Sequence, residues 1–365
     1  MKIKYSFFLI IFTVILLIMA ELVTRKIYGY NVTSKNFISE KSLLETNNSV
    51  IYDKLLSWKH KPNMRNKNGL NTNSDGHRIS QKDNFISKEV VFVSGDSFAA
   101  GAEVQDDETW PFFLQSKTKM KVVNAAVGGW DSIQIIQNAL HSINLYKTKI
   151  VILEFTDAIE RSRYGIYASA HKSRYKFNNN ELELVNYPVK KFYKKEYLKS
   201  SYVTFSDRFS NSQIVRSLFN NSIFLYKLQK KFFNRPYGLN FDKVYKKSES
   251  QILEINCKLI NILNDTLKKS NSRLYVVIQH KGDTVFFSKV QPSDSVALEK
   301  CLINSKIKYL NFWNYLKLYK ESNGDDKFKE LFNMKNNSFG HMSSSGNNFI
   351  SEKISEKFFL EKIKR

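Results

Sequence analysis

The sequence predicts an α/β protein: a three-layer α/β/α sandwich around a central parallel sheet of about five strands. An N-terminal transmembrane helix precedes it, and a large insertion follows the third strand. Three observations carry this expectation. Short apolar runs alternate with helical stretches over most of the chain. The first residues form an apolar segment behind Lys2 and Lys4. A polar stretch rich in Tyr, Lys and Asn, from about Arg161 to Ser248, breaks the alternation and is too long for an ordinary loop.

The elements follow in order. The apolar run Ser6 to Ala20, carried past Glu21 to Val23, is read as an uncleaved anchor, because Ile18 stands where a signal peptidase prefers a small residue. Residues 1–30 are therefore expected to be a membrane anchor and 31–84 a polar stem. The main α/β domain comprises 85–160 and 249–365, with 161–248 as a cap-like insertion. Glu89-Val-Val-Phe-Val93 reads as a buried strand running into the turn Ser94-Gly95-Asp96-Ser97. Thr109–Lys117 suits a helix, Lys121–Asn124 a second strand, Asp131–Leu145 a helix and Lys149–Glu154 a third strand. Leu274–Ile278 and Ile307–Leu310 give two more. Ser212–Phe232 is a helical patch inside the insertion, and its stripe from Ile214 to Leu228 reads as helix packing.

The formal charge of +23 raises the prospect of an anionic partner, a nucleic acid among them. The lysines are scattered, however, and no nucleic-acid motif accompanies them, so no nucleic-acid partner is expected. The cluster Lys190–Lys195 reads as a solvated face, with anionic lipid or glycan as its functional alternative. Cys257 and Cys301 lack metal-ligand spacing and are read either as one disulfide or as two buried thiols, the commoner case. His60, His77, His141, His171 and His280 share no metal spacing either. No metal and no cofactor are expected.

The chemistry gathers at Gly95-Asp96-Ser97-Phe98, at the end of the first sheet strand. Sites in open parallel sheets form outside the carboxyl ends of strands. A serine in such a turn can present its hydroxyl while backbone N–H groups face a developing oxyanion. Alone, Gly-Asp-Ser is a weak signal. It is joined by Asn124-Ala-Ala-Val-Gly128-Gly129-Trp130 after the second strand and Phe155-Thr156-Asp157-Ala158 after the third. Gly340-His341-Met-Ser-Ser-Ser-Gly346-Asn347 opens the last helix. A serine hydroxyl needs such an imidazole to take its proton.

These blocks resemble the SGNH (GDSL-like) hydrolase family, and its bacterial membrane-anchored branch in particular. Asn73-Ser-Asp-Gly-His-Arg78, Gly101-Ala-Glu-Val104 and Thr109-Trp-Pro111 are similar to stretches of that branch, as is an anchor ending in Glu21 and Arg25. The resemblance implies Ser97 as nucleophile and His341 as base. It implies an oxyanion hole from the backbone of Ser97 and Gly129, with Asp157 or Thr156 at the place of the family's Asn. It further implies a serine esterase or O-acyltransferase acting on acetyl-type esters of a cell-envelope glycan, or on a similar ester. A transferase would draw on a membrane-bound acyl donor. The expected location is the inner membrane, single-pass, with the catalytic domain on the periplasmic side. The sequence departs from the family pattern at two places. The usual Asp three residues before the histidine is Ser338, leaving Ser338, Asn337, Asn336, Asp325, Asp326 or a backbone carbonyl to orient the ring. An ionised Asp157 would repel an oxyanion. Both departures support the alternative of a catalytically impaired domain serving as a tethered envelope scaffold.

Overall fold

The computed structural model describes residues 2–28, 43–66, 69–79, 87–143, 145–146, 148–156, 158–162, 166–167, 170–189 and 249–363. The helical patch at 212–232, the basic cluster at 190–195 and Asp157 lie outside the described residues. So does most of the expected cap.

A helix runs Lys2–Tyr28, but among the described residues no helix is long and apolar enough to cross a membrane. This corrects the transmembrane expectation, together with the likeness to a membrane-anchored branch, the single-pass inner-membrane location and the membrane tether that followed from it. The physical reason is the position of Glu21. The charge-free run between Lys4 and Glu21 rises only roughly 24 Å at 1.5 Å per residue, short of a hydrocarbon core of about 30 Å. Carrying the run on to Val23 places a carboxylate inside it.

Before the main sheet comes a hairpin of β1 (Val50–Asp53) and β2 (Ser57–His60), antiparallel. The sheet itself is built from β3 (Ser87–Ser94), β4 (Met120–Asn124), β5 (Ile150–Phe155), β10 (Arg273–Ile278) and β11 (Lys308–Asn311). Its order is β11-β10-β5-β3-β4, parallel throughout. Between β5 and β10 lie two small antiparallel pairs, β6 (Ile166–Tyr167) with β7 (Ala170–His171) and β8 (Arg174–Asn178) with β9 (Glu181–Val185). A last hairpin, β12 (Phe332–Lys335) with β13 (Ser338–Met342), leads to the final helix Ser344–Ile363.

The strands read as continuous apolar runs because both faces are covered, and period-two alternation sorts them. Phe92, Val151, Leu153 and Val276 face the helices Ser132–Ser142 and Glu249–Lys269. Val91, Val93, Ile152 and Val277 face the helices Trp110–Thr118 and Ser344–Ile363. Cys257 and Cys301 form a disulfide between the helices Glu249–Lys269 and Ser293–Asn304, which settles against two separate thiols.

After β3 the chain goes outward to β4, then returns past β3 to β5 on the other side. The carboxyl end of β3 is thus the switch point of the sheet, where neighbouring connections diverge and leave a crevice. Ser97 stands there.

The stem is packed onto the domain through buried polar groups. Trp58 is fully buried. The Arg78 guanidinium, also buried, donates to the carbonyls of Ala100 and Gly101 at 2.6 Å, Gly69 at 2.5 Å and Val104 at 2.7 Å, and its Nε meets Asp106 at 2.7 Å. Ser173 Oγ donates to Leu55 O at 2.8 Å, so residues after β7 rest on the hairpin β1–β2. Lys172, wholly buried, pairs with Asp131 at 2.5 Å and donates to Arg161 O at 2.7 Å.

Two stem histidines are held neutral by burial, which lowers His60 and His77 from 6.5 to about 4. His77 Nδ1 lies 3.0 Å from the Tyr146 hydroxyl. In the unfolded chain each titrates near 6.5, so the unfolded state binds more protons between about 6.5 and 4. Their contribution is complete above 6.5 and is lost as pH falls through that window. The melting temperature is expected to be lower at pH 5 than at pH 7, and His60→Asn/His77→Gln should narrow the gap. An equal gap in the double variant would sink this account.

Candidate functional site

The turn after β3 is set by short-range hydrogen bonds. Asp96 caps the helix Ser97–Ala100 by accepting the Phe98 N–H at 2.9 Å, and Gly101, at φ 74°, ends it in the left-handed conformation. The serine is therefore the first residue of a one-turn helix at the sheet's carboxyl edge. Its Oγ lies 2.9 Å from His341 Nε2. His341 comes from β13, 244 residues further along the chain, and its ring packs against Phe98 with centroids 5.0 Å apart.

A carboxylate stands behind this ring, supplied by the segment that follows the nucleophile helix rather than by the residues before the histidine. Glu103 Oε2 accepts the His341 backbone N–H at 3.1 Å and lies 3.5 Å from His341 Nδ1. The latter is an ion-pair distance, longer than a formed hydrogen bond. The His341 ring above all, then its backbone N–H, with Lys335 3.6 Å from Oε1, holds the Glu103 carboxyl at about 2, below its ordinary 4.5. Glu103 is thus an anion wherever the protein is folded near neutral pH. Two features bring it there. Glu103 adopts φ 71°, which turns the chain sharply after the nucleophile helix. Gly340 leaves room, since a Cβ there would lie 2.5 Å from Glu103 Oε2 and from Asn333 O.

The expected ring-orienting residues are elsewhere. Asn337 has φ 63° and, with Asn336, forms the tight turn between β12 and β13. The Ser338 hydroxyl, at the start of β13, makes no hydrogen bond. The signal that could have revealed Glu103 was its spacing: an acidic residue six positions after the serine, between Gly101 and Val104.

The loop after β4 comes close to the serine. A Cβ on Gly128 would lie 3.7 Å from Ser97 Cβ, and Gly129 sits at φ 81°, a left-handed position that suits glycine. Val127 N–H donates to Gly95 O at 3.1 Å, tying this loop to the nucleophile turn. The Thr156 hydroxyl bonds Glu154 Oε1 at 2.5 Å and is engaged there.

Glu154 was not foreseen as a site residue, although a carboxylate inside an apolar strand is itself a signal. It is completely buried beneath the nucleophile turn, and its Oε2 accepts the Asp96 N–H at 3.1 Å. Burial first, then the neighbouring Asp96 charge, raises its pKa well above 4.5. The Asp96 carboxylate pairs with Arg161, whose Nε and Nη2 also reach Trp130 O at 3.0 and 2.8 Å.

A serine hydroxyl bonded to an imidazole, with a carboxylate behind it, at the switch point of a doubly wound sheet, is an arrangement of the serine-hydrolase kind. Solved structures similar to this chain include a member of the lipolytic protein G-D-S-L family from Veillonella parvula, at 11% identity and a TM-score of 0.38, covering 74% of this chain and 99% of that one. An acetyl xylan esterase matches at 11% and 0.40, covering 74% and 100%. The psychrotrophic esterase EstA from Pseudoalteromonas matches at 10% and 0.35, covering 74% and 96%. No family model and no curated protein matches the chain. At these scores the likeness decides nothing about chemistry, which rests on the geometry above.

Glu103→Gln keeps size and removes the charge that faces the His341 ring. It is expected to lower kcat for an ester substrate by roughly 100-fold, with KM little changed. A variant within twofold of the parent would remove Glu103 from the proton-transfer chain.

Proposed function

We propose that this chain is a serine esterase or O-acyltransferase whose nucleophile is Ser97. The observation that carries this reading is the 2.9 Å hydrogen bond from Ser97 Oγ to His341 Nε2, backed by the Glu103 carboxylate. His341 takes the Ser97 proton as the hydroxyl attacks the ester carbonyl, and the imidazolium that forms is stabilised by Glu103. The carbonyl oxygen becomes an oxyanion, received by the backbone N–H groups of Ser97 and Gly129. Collapse expels the alcohol, which gains the proton from His341, and leaves an acyl-enzyme on Ser97. Water completes a hydrolysis, or a second alcohol completes a transfer, by the same steps reversed.

Glu103 supplies what the Ser338 position lacks, and this favours the enzyme over the impaired scaffold. For the substrate we assign an O-acyl group of acetyl type on an acidic glycan. The support for the acidic carrier is the formal charge of +23.

The full chain should cleave p-nitrophenyl acetate, and Ser97→Ala should reduce the rate by at least roughly 1000-fold while leaving the melting temperature within a few degrees. Cleavage at parental rate by Ser97→Ala would exclude this serine. With O-acetylated glycans, an acidic polymer should be preferred over a neutral one at low salt, and the preference should fade as salt is raised. A preference unaffected by salt would remove the acidic carrier from the assignment.

A further inference from the structure

The Gly128–Gly129 peptide carries both the carbonyl of Gly128 and the N–H of Gly129. This peptide bond is trans, the cis bond among the described residues being Tyr187–Pro188. Its carbonyl and N–H therefore point in opposite directions. A peptide with glycine on both sides has little intrinsic preference that would stop it from rotating. Its orientation must be imposed from outside.

The imposing group comes from the stem. Trp58 Nε1 donates to Gly128 O at 3.0 Å, from an indole that is fully buried in β2. Trp130 Nε1 returns a bond to Trp58 O at 2.9 Å. The indole of the residue after Gly129 thus ties this loop back to the Trp58 backbone, while the Trp58 indole holds the peptide itself. With the Gly128 carbonyl drawn to Trp58, the Gly129 N–H points away from Trp58. Gly128 borders Ser97, with 3.7 Å from a Cβ built on Gly128 to Ser97 Cβ. Arg161 holds the carbonyl of Trp130, two residues after Gly128, which anchors the far side of the loop.

We infer that Trp58 is a positioning residue that aims the Gly129 N–H at the oxyanion formed on attack by Ser97. The inference rests on the proposed function. It makes the hairpin β1–β2 part of the catalytic apparatus, although it lies outside the main α/β domain. Without the indole N–H, the Gly128 carbonyl loses its partner and the peptide rotates in most molecules. Those molecules bind the ester as before but lose one donor to the transition state.

The test uses the full chain with Trp58→Phe, which keeps an aromatic ring and removes the N–H. A second variant places benzothienylalanine at position 58, with sulfur in place of the N–H in an indole-sized ring, and covers the case where the phenylalanine variant fails to fold. The expected result for p-nitrophenyl acetate is a kcat about tenfold lower, KM within twofold, and an unchanged pH profile, because the Ser97–His341 pair is untouched. Labelling of Ser97 by a fluorophosphonate should slow by a similar factor, since its phosphoryl oxygen needs the same donors. Parental kcat and labelling rate in the folded benzothienylalanine variant would overturn the inference, as would a loss confined to KM. Failure of the underlying reading looks different: there, Ser97→Ala retains parental activity whatever stands at position 58.

Discussion

The buried Arg78 guanidinium is the interaction on which the arrangement of the site depends. It donates to four carbonyls, of Gly69, Ala100, Gly101 and Val104, and meets the Asp106 carboxylate. Two of those carbonyls close the nucleophile helix and a third follows Glu103, so one planar cation fixes both the serine and the acid. Burial lowers the Arg78 pKa, and Asp106 opposes that shift. Stranding the cation by removing a partner would cost roughly 3–5 kcal/mol. A lysine could not replace it, since a point charge with three donors cannot serve this many acceptors in a fixed plane.

Around the same turn, charges are balanced in pairs rather than dispersed. Asp96 meets Arg161, Asp131 meets Lys172, and Glu154 sits beneath them with its pKa raised. The Lys172 ammonium, wholly buried, has its pKa lowered by desolvation, with Asp131 opposing. Asp131 uses its other oxygen to cap the helix Ser132–Ser142, accepting the Gln134 N–H at 3.0 Å. The turn after β3, the loop after β4 and the region after β5 therefore meet in one buried polar layer under the crevice. Each carboxylate there has a cationic or hydrogen-bonded partner, as burial requires.

Much of this was legible from the chain and some was not. The runs at Glu89–Val93, Lys121–Asn124, Lys149–Glu154, Leu274–Ile278 and Ile307–Leu310 fall on β3, β4, β5, β10 and β11, because strands buried on both faces leave continuous apolar signatures. Ser97 and His341 could be paired because each stands in a glycine-flanked block. The transmembrane reading failed because hydrophobic length was counted across Glu21, as if a carboxylate could be carried inside the bilayer at no cost. Glu103 is not legible as the acid because the family pattern puts that residue just before the histidine, where Ser338 stands, whereas Glu103 reaches the ring from the other end of the domain.

The sequence by itself determined the strand periodicity, the serine turn after β3 and the glycine pair at 128–129, since these depend on local backbone and side-chain chemistry. Only the tertiary structure decided which carboxylate faces His341 and which residue braces the Gly128 carbonyl. Glu103 and His341, like Trp58 and Gly128, are distant in sequence and share no local pattern. Their contacts follow from how a left-handed turn, a stem hairpin and a buried arginine stack around one strand end, and that stacking is a property of the folded chain.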